Sequence, residues 1–456
     1  MCIRGRGRGK FVLQYSNIAK EEMEKCKSII PVWIMPLEKV IENIKPSKNQ
    51  FDVVIFDESS QSNIFAISAL MRAKKAIIVG DDKQISPEVV GMDQGMINNF
   101  IDKYLDGIPH NQWFDLQTSL YDTALRTFKD RIMLKEHFRS VPEIVQFSNK
   151  LCYGDLIVPL RYPKIREAFN SPIKCIKVED GYREKSKQIN INEAEALVNK
   201  LLECCRDSKY NGMTMGVISL LGDAQSEFIE NLLRNNLSKE EIKRRKLICG
   251  DAYSFQGDER DIIFLSMVVG DNMKYTALTK ETDIKRFNVA VSRARNQIFL
   301  FYSIDYKNIN NNCVRYKLID YCNNYKNYKS KLPNINYVMQ TKFQKDIYNN
   351  IRNLKGDIKS NIKLGKYIID FILEGKHNRI AIICDDGNLY ENNNVEKVLD
   401  LEMDLTRLGW AFYKIRGSKF YRNPEVEIEK LHKFLMESGL YKDDPKEILK
   451  NNLLVV

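Results

Sequence analysis

Two adjacent carboxylates, Asp57 and Glu58, end the run Phe51-Asp52-Val53-Val54-Ile55-Phe56 and lead into Ser59-Ser60-Gln61. Such a pair at the carboxyl end of a parallel strand suits phosphoryl transfer, one acid holding the water shell of Mg²⁺ while its neighbour orients the attacking water. A strand running into an acidic turn would look the same, so the pair alone leaves both readings open. Gln84, in Gly80-Asp81-Asp82-Lys83-Gln84-Ile85-Ser86-Pro87, is a neutral amide that can accept from a water and donate to a phosphate oxygen. Arg139, in Leu134-Lys135-Glu136-His137-Phe138-Arg139-Ser140, is a fork donor able to reach phosphate, although alone it also fits a surface ion pair. Arg293 and Arg295 lie two apart in Phe287-Asn288-Val289-Ala290-Val291-Ser292-Arg293-Ala294-Arg295. Read on a helix they project differently, and Arg293 is taken as the arginine finger. Gly257 and Glu259 stand in the polar cluster Tyr253–Asp261.

Apolar strands must position these groups. Ala76-Ile77-Ile78-Val79 precedes the Gln84 turn, Ile262-Ile263-Phe264-Leu265-Ser266 follows the Gly257 cluster, and Gln297-Ile298-Phe299-Leu300-Phe301 follows Arg295. Together with Phe51–Phe56 they read as buried parallel strands. Ile29–Met35 reads as a further short buried strand, Ala19–Lys27 and Ala66–Ala73 as helices, and Val141–Asn149 as a helix with proline in its first turn. Asn192–Ala196 opens an amphipathic helix, and Thr214–Ser219 is a central strand. After a Lys-, Asn- and Tyr-rich connecting helix and linker near 306–337, the order changes. A helix near Phe343–Leu354, a hairpin of Tyr367–Leu373 and Ile380–Asp385, a helix at Glu396–Leu408 and a strand at Ala411–Ile415 mark a separate small α/β domain.

The 456 residues have material for about three domains. A hydrophobic share of 44% with 29% charged residues describes a globular chain, and a net charge of +11 favours a polyanionic partner such as nucleic acid. Ten scattered cysteines without a CxxC pair, and only four histidines, argue against zinc and for reduced thiols. No unbroken apolar run is long enough to span a bilayer, so a cytoplasmic protein with no membrane partner is expected. The start, Met1–Lys10, is glycine-rich and basic but fails G-x-x-x-x-G-K-[ST] at Arg4 and Phe11, and reads as a solvated tail.

Taken in order, DESSQ (57–61), GDDKQISP (80–87), LKEHFRS (134–140), SFQGDERD (254–261) and NVAVSRAR (288–295) resemble the motifs of superfamily 1 helicases, nearest the Upf-like branch. The resemblance covers about residues 29–305. It implies ATP and Mg²⁺ as cofactors, Asp57 (through water) and Glu58 as magnesium and water residues, and Gln84 as γ-phosphate sensor. It places Phe138 where an aromatic stacks on the base, Arg139 and Arg293 at phosphate-contacting arginines, and Gly257 and Glu259 in a motif touching ribose and coupling ATP to the strand. ATP would lie at the interface of two lobes, with single-stranded nucleic acid across their tops. DNA is favoured over RNA because of the domain that follows.

Residues from about 338 onward resemble Vsr-like nuclease domains of the PD-(D/E)xK type, on YIIDFILEG, IAIICDDG and LTRLGWAFYKIRGSKFYRNPE. By that resemblance Asp370 and Asp385 fit retained acidic positions, whereas Ile383 replaces the metal-binding Glu, Tyr390 a His, and Val398 and Leu401 an acid and an arginine. Isoleucine cannot ligate Mg²⁺, so an inactive nuclease-like module is expected.

The expected fold class is therefore α/β: two RecA-like parallel-sheet lobes, the first incomplete, over 1–133 and 134–305, then a linker (306–337) and a small restriction-endonuclease-like domain (338–456). Lacking the phosphate loop, the chain is expected not to hydrolyse ATP alone, being either the downstream half of a split or truncated helicase or a protein that acts with an upstream partner polypeptide. A non-catalytic nucleic-acid-binding or scaffold remnant is the rival expectation.

Overall fold

The computed structural model describes residues 10–26, 28–46, 50–86, 94–115, 118–164, 166–184, 187–329, 341–352, 357–375, 378–386 and 394–440. The glycine-rich start, Pro87, Tyr390 and residues 330–340 of the expected linker lie outside them. The chain divides into two units, Met1–Met133 and Leu134–Val456. No helix among the described residues is long and apolar enough to cross a membrane.

In the first unit a helix spans Lys10–Cys26. Residues 29–35, expected as a buried strand, are not one: Ile29, Val32 and Ile34 are 79%, 70% and 96% exposed. Pro31 lies inside the stretch and Pro36 follows it, and a proline can give no ladder donor. Strands β1 (Phe51–Phe56) and β2 (Ala73–Ile78) pair in parallel, from Phe51 opposite Ala73 to Phe56 opposite Ile78. Phe56 is buried with Ala66, Ala69 and Leu120 in a small core, as the apolar run requires. Val53, Ile55 and Ile77 are exposed, so β1 is not the fully buried strand that its composition suggests. The core of the described residues covers one face of this two-stranded sheet.

In the second unit, β3 (Glu136–His137) pairs in parallel with β4 (Val158–Pro159). The main sheet comprises β5 (Ile173–Lys177), β6 (Met215–Ser219), β7 (Ile248–Asp251), β8 (Arg260–Gly270) and β9 (Ala294–Ser303). Its order is β5-β9-β8-β6-β7, and every pairing is parallel. This is the expected RecA-like lobe. Ile262, Phe264, Phe299 and Phe301 face the helices Ile191–Arg206 and Ala224–Asn236 across one core. By strand alternation the equally buried Ile263, Leu265, Ile298 and Leu300 face the other way, and helices Pro142–Cys152 and Val314–Lys329 pack on β9 and β5. The helix Val314–Lys329 is held there by the Tyr321 hydroxyl, which donates to the Glu143 carbonyl at 2.6 Å.

The small mixed sheet that follows has the order β10 (Asp357–Leu364), β11 (Tyr367–Glu374), β12 (Arg379–Asp385), β13 (Ala411–Arg416). The first two pairings are antiparallel and the last is parallel. One core lies against helices Lys342–Ile351 and Pro424–Glu437. The other, with Ile369, Ile383, Leu405 and Trp410, also takes in Leu160 of the RecA-like lobe.

Candidate functional site

Chemistry in the first unit gathers where β1 and β2 end. Asp57 and Glu58 are exposed, and Glu58 takes a left-handed backbone (φ 52°) that turns the chain into the 3-10 turn Ser59–Gln61. The Glu58 amide donates to Asp57 Oδ1 at 3.0 Å, and Gln61 Nε2 donates to Glu58 Oε2 at 3.0 Å. The buried serines lock this turn to the next strand end: Ser59 Oγ donates to the Val79 carbonyl at 2.6 Å, and Ser60 Oγ accepts from the Asp81 amide at 2.6 Å. A Cβ on Gly80 would come within 2.7 Å of both hydroxyls and of the Tyr121 ring, which is why glycine stands there. Gln84 is set by Asp81, its Nε2 donating to Oδ2 at 3.1 Å. Asp57, Glu58 and Gln84 are thus presented by one pair of interlocked turns, and the two exposed carboxylates fit the outer sphere of a hydrated divalent ion.

In the second unit Glu259 is the centre. Arg139 Nε lies 2.5 Å from Glu259 Oε2, and Arg295 Nη1 lies 3.6 Å from Glu259 Oε1. All three side chains are partly exposed, at 40%, 41% and 37%. Arg293 caps the helix Glu281–Ser292 and is only 2% exposed; its guanidinium donates to the Val289 carbonyl (3.2 Å), the Asp258 carbonyl (3.4 Å) and Ser292 Oγ (3.3 Å). Arg295 belongs to β9, so the two arginines do not share a helix as the spacing suggested. Gly257 turns the Glu259 loop with φ 79°, and Arg260 pairs with Asp258 at 2.6 Å, holding that carboxyl below its ordinary range. His137 accepts from the Ser140 amide at 2.9 Å through Nε2, and burial, then Arg139 and Arg161, push its pKa down to about 4. Phe138 is half-buried and packs against the second core of the small domain.

Arg161 escaped the sequence reading. It is 6% exposed and donates to the backbone carbonyls of Arg139 and Arg295, to Asn296 Oδ1, and to Glu167 at 3.0 Å. An arginine inside the otherwise apolar Val158–Pro163 was the only available signal.

In the small domain Asp370 accepts from the Cys384 amide at 2.7 Å and from Gln344 Nε2, and burial raises its pKa. Asp385 is 3% exposed, with Lys414 Nζ 3.2 Å and Arg416 Nε 3.9 Å away. Ile383 is buried in the core shared with Leu160. Val398 is half-buried and Leu401 is buried. Among the described residues no group of three or more His, Cys, Asp or Glu could hold a metal ion.

Residues 116–304 match the family described as an AAA domain, and residues 343–435 match the family REase_MTES_1575. Its final domain thus matches a restriction-endonuclease-like family, and the curated relatives that the chain resembles are helicases. It is 26% identical over 459 residues to the uncharacterized ATP-dependent helicase MG140 of Mycoplasma genitalium, covering 91% of this chain and 39% of that protein. It is 26% identical over 291 residues to the DNA polymerase alpha-associated DNA helicase A of Saccharomyces cerevisiae, covering 57% and 39%. Among solved structures it is similar to an Arterivirus nonstructural protein 10 (helicase) with DNA, at a TM-score of 0.28 and 12% identity over 59% of this chain and 43% of that one. The chain thus spans about two fifths of the length of these curated relatives.

Proposed function

We propose that this chain is the downstream part of an ATP-dependent superfamily 1 helicase of the Upf-like branch, coupling ATP hydrolysis to translocation on single-stranded nucleic acid, DNA in preference to RNA, in the cytoplasm. The observation that carries it is the Arg139–Glu259–Arg295 array: two half-exposed guanidiniums held ready by one carboxylate, which a phosphate can displace. Asp57 would hold the water shell of Mg²⁺, Glu58 would orient the attacking water, and Gln84 would contact the terminal phosphate. Bound Mg²⁺ supplies charge neutralisation at the transferring phosphoryl group. Arg293 is assigned to the phosphates by the motif resemblance alone, since its guanidinium is buried and bonded to the Val289 and Asp258 carbonyls. The 456 residues contain no G-x-x-x-x-G-K-[ST], so the phosphate cradle comes from upstream sequence or an upstream polypeptide. The names of the relatives support ATP and DNA as ligands.

The Vsr-like domain is proposed to be folded and non-cutting. Supporting this, Lys414 balances the Asp385 charge, and Ile383 fills the core where a ligand acid would stand. Purified chain with Mg²⁺ or Mn²⁺ should leave supercoiled plasmid intact; nicking that disappears in Asp370→Ala would overturn this. The second reading, a nucleic-acid-binding remnant without turnover, is favoured by the missing phosphate loop alone. Anisotropy with labelled oligonucleotides tests the shared part. DNA should bind more tightly than RNA, with affinity falling as salt rises, and strand affinity insensitive to salt would contradict both readings.

A further inference from the structure

The segment Val158–Pro163 runs between the RecA-like lobe and the endonuclease-like domain, and successive residues serve different sides of it. Leu160, 1% exposed, is seated in the small domain's core with Leu364, Tyr367, Ile369, Ile383 and Trp410. A Cβ on Gly365 would lie 2.5 Å from Leu160 Cδ2, so the β10–β11 turn closes directly onto that leucine. Tyr162 is held by Arg379, whose guanidinium sits 5.1 Å from the Tyr162 ring and 4.7 Å from the Trp410 ring. Arg379 also donates to the carbonyls of Tyr162 and Pro163 and pairs with Glu374 at 2.6 Å. Between these anchored neighbours, Arg161 enters the lobe and fastens the backbone of Arg139 to that of Arg295.

We infer that the endonuclease-like domain acts as a positioning element for the two phosphate-facing arginines, through a strap in which Leu160 and Tyr162 are seated by the small domain and Arg161 clamps the arginine-bearing loops. Arg161 is a positioning residue, because it holds main-chain carbonyls and leaves the Arg139 and Arg295 guanidiniums to face outward. Its planar fork meets acceptors from several directions at once, which one ammonium cannot do. Phe138 adds a second link, since it leaves the same loop as Arg139 and packs on the same shared core. The functional consequence rests on the helicase reading given above; the linkage itself does not.

Hydrogen–deuterium exchange on the full chain tests the linkage without requiring ATP turnover. The double variant Glu374→Gln with Arg379→Met removes the anchor without stranding a buried carboxylate. Exchange should rise about tenfold in peptides covering 137–141 and 293–297, the loss expected for charge-assisted bonds, while β6 and β8 stay protected. Arg161→Lys should give the same rise in those loops and leave 367–385 unchanged. A rise confined to 357–416, or one spread equally through β6 and β8, would overturn the strap. No strand-stimulated ATP turnover in the chain completed by a polypeptide bearing G-x-x-x-x-G-K-[ST], with the exchange pattern intact, would count against the helicase reading alone.

Discussion

Glu259 stands between two exposed guanidiniums, and Arg293 is folded back into the protein, so the three arginines should respond differently to removal. Arg139→Ala and Arg295→Ala should each weaken oligonucleotide or Mg–ATP affinity about tenfold or more, the scale of a charge-assisted hydrogen bond, with little change in melting temperature. Arg293→Ala should lower the melting temperature, because it leaves the Asp258 carbonyl and the helix end without their donor. Isothermal titration beside thermal melts separates these outcomes, and unchanged affinity in Arg139→Ala would remove that residue from the site. In the small domain, placing a carboxylate at Ile383, the position proposed to lack a ligand acid, should not produce cutting. Ile383→Glu places a charge in a closed core and should destabilise by more than about 3 kcal/mol, read from urea unfolding. A variant of native stability that nicks plasmid would contradict this.

Elements decide how rigidly those residues are held. The turns after β1 and β2 interlock at Gly80, so Gly80→Ala should cost about 1–3 kcal/mol by overpacking the Ser59 and Ser60 hydroxyls; native melting of that variant would mean the turns are loose. In the RecA-like lobe, Glu193 accepts from Ser266 Oγ (2.6 Å), Ser303 Oγ (2.7 Å) and the Val268 amide (2.8 Å), pinning an irregular stretch of β8. Burial raises its pKa from 4.5 to about 7, so the folded chain keeps a proton there that the unfolded chain has released. Its contribution is full below 4.5 and is lost as pH rises through 7. His137 works in the opposite sense: burial lowers it from 6.5 to about 4, and its contribution is full above 6.5 and lost as pH falls through 4. Glu193→Gln should therefore flatten any fall of the urea midpoint across pH 4.5 to 7, and a fall of the same size in the variant would contradict the assignment. Strand identity was legible in the sequence because unbroken apolar runs such as Ile262–Leu265 need cover on both faces. The same rule misjudged Val53 and Ile55, whose composition says buried while the described residues leave one sheet face open, and it misjudged Ile29–Met35, where two prolines outweigh the apolar content.

At the scale of the whole chain, ordered motifs revealed the polar clusters because each side chain chemistry is local to one loop. What stayed illegible depends on contacts between distant segments: Glu259 joining Arg139 to Arg295, Arg161 gripping both backbones, and Leu160 entering a core built more than two hundred residues later. No periodicity carries such information. A net charge of +11 further predicts that strand affinity falls steeply with salt, since released counterions drive binding. The most direct measurement is ATP turnover with single-stranded DNA, for the chain alone and for the chain co-expressed with an upstream polypeptide bearing G-x-x-x-x-G-K-[ST]. The chain alone should match its Glu58→Gln variant, and the completed pair should show strand-stimulated turnover that Glu58→Gln abolishes. Turnover by the chain alone above that variant, or turnover in the pair that survives Glu58→Gln, would contradict the proposed motor.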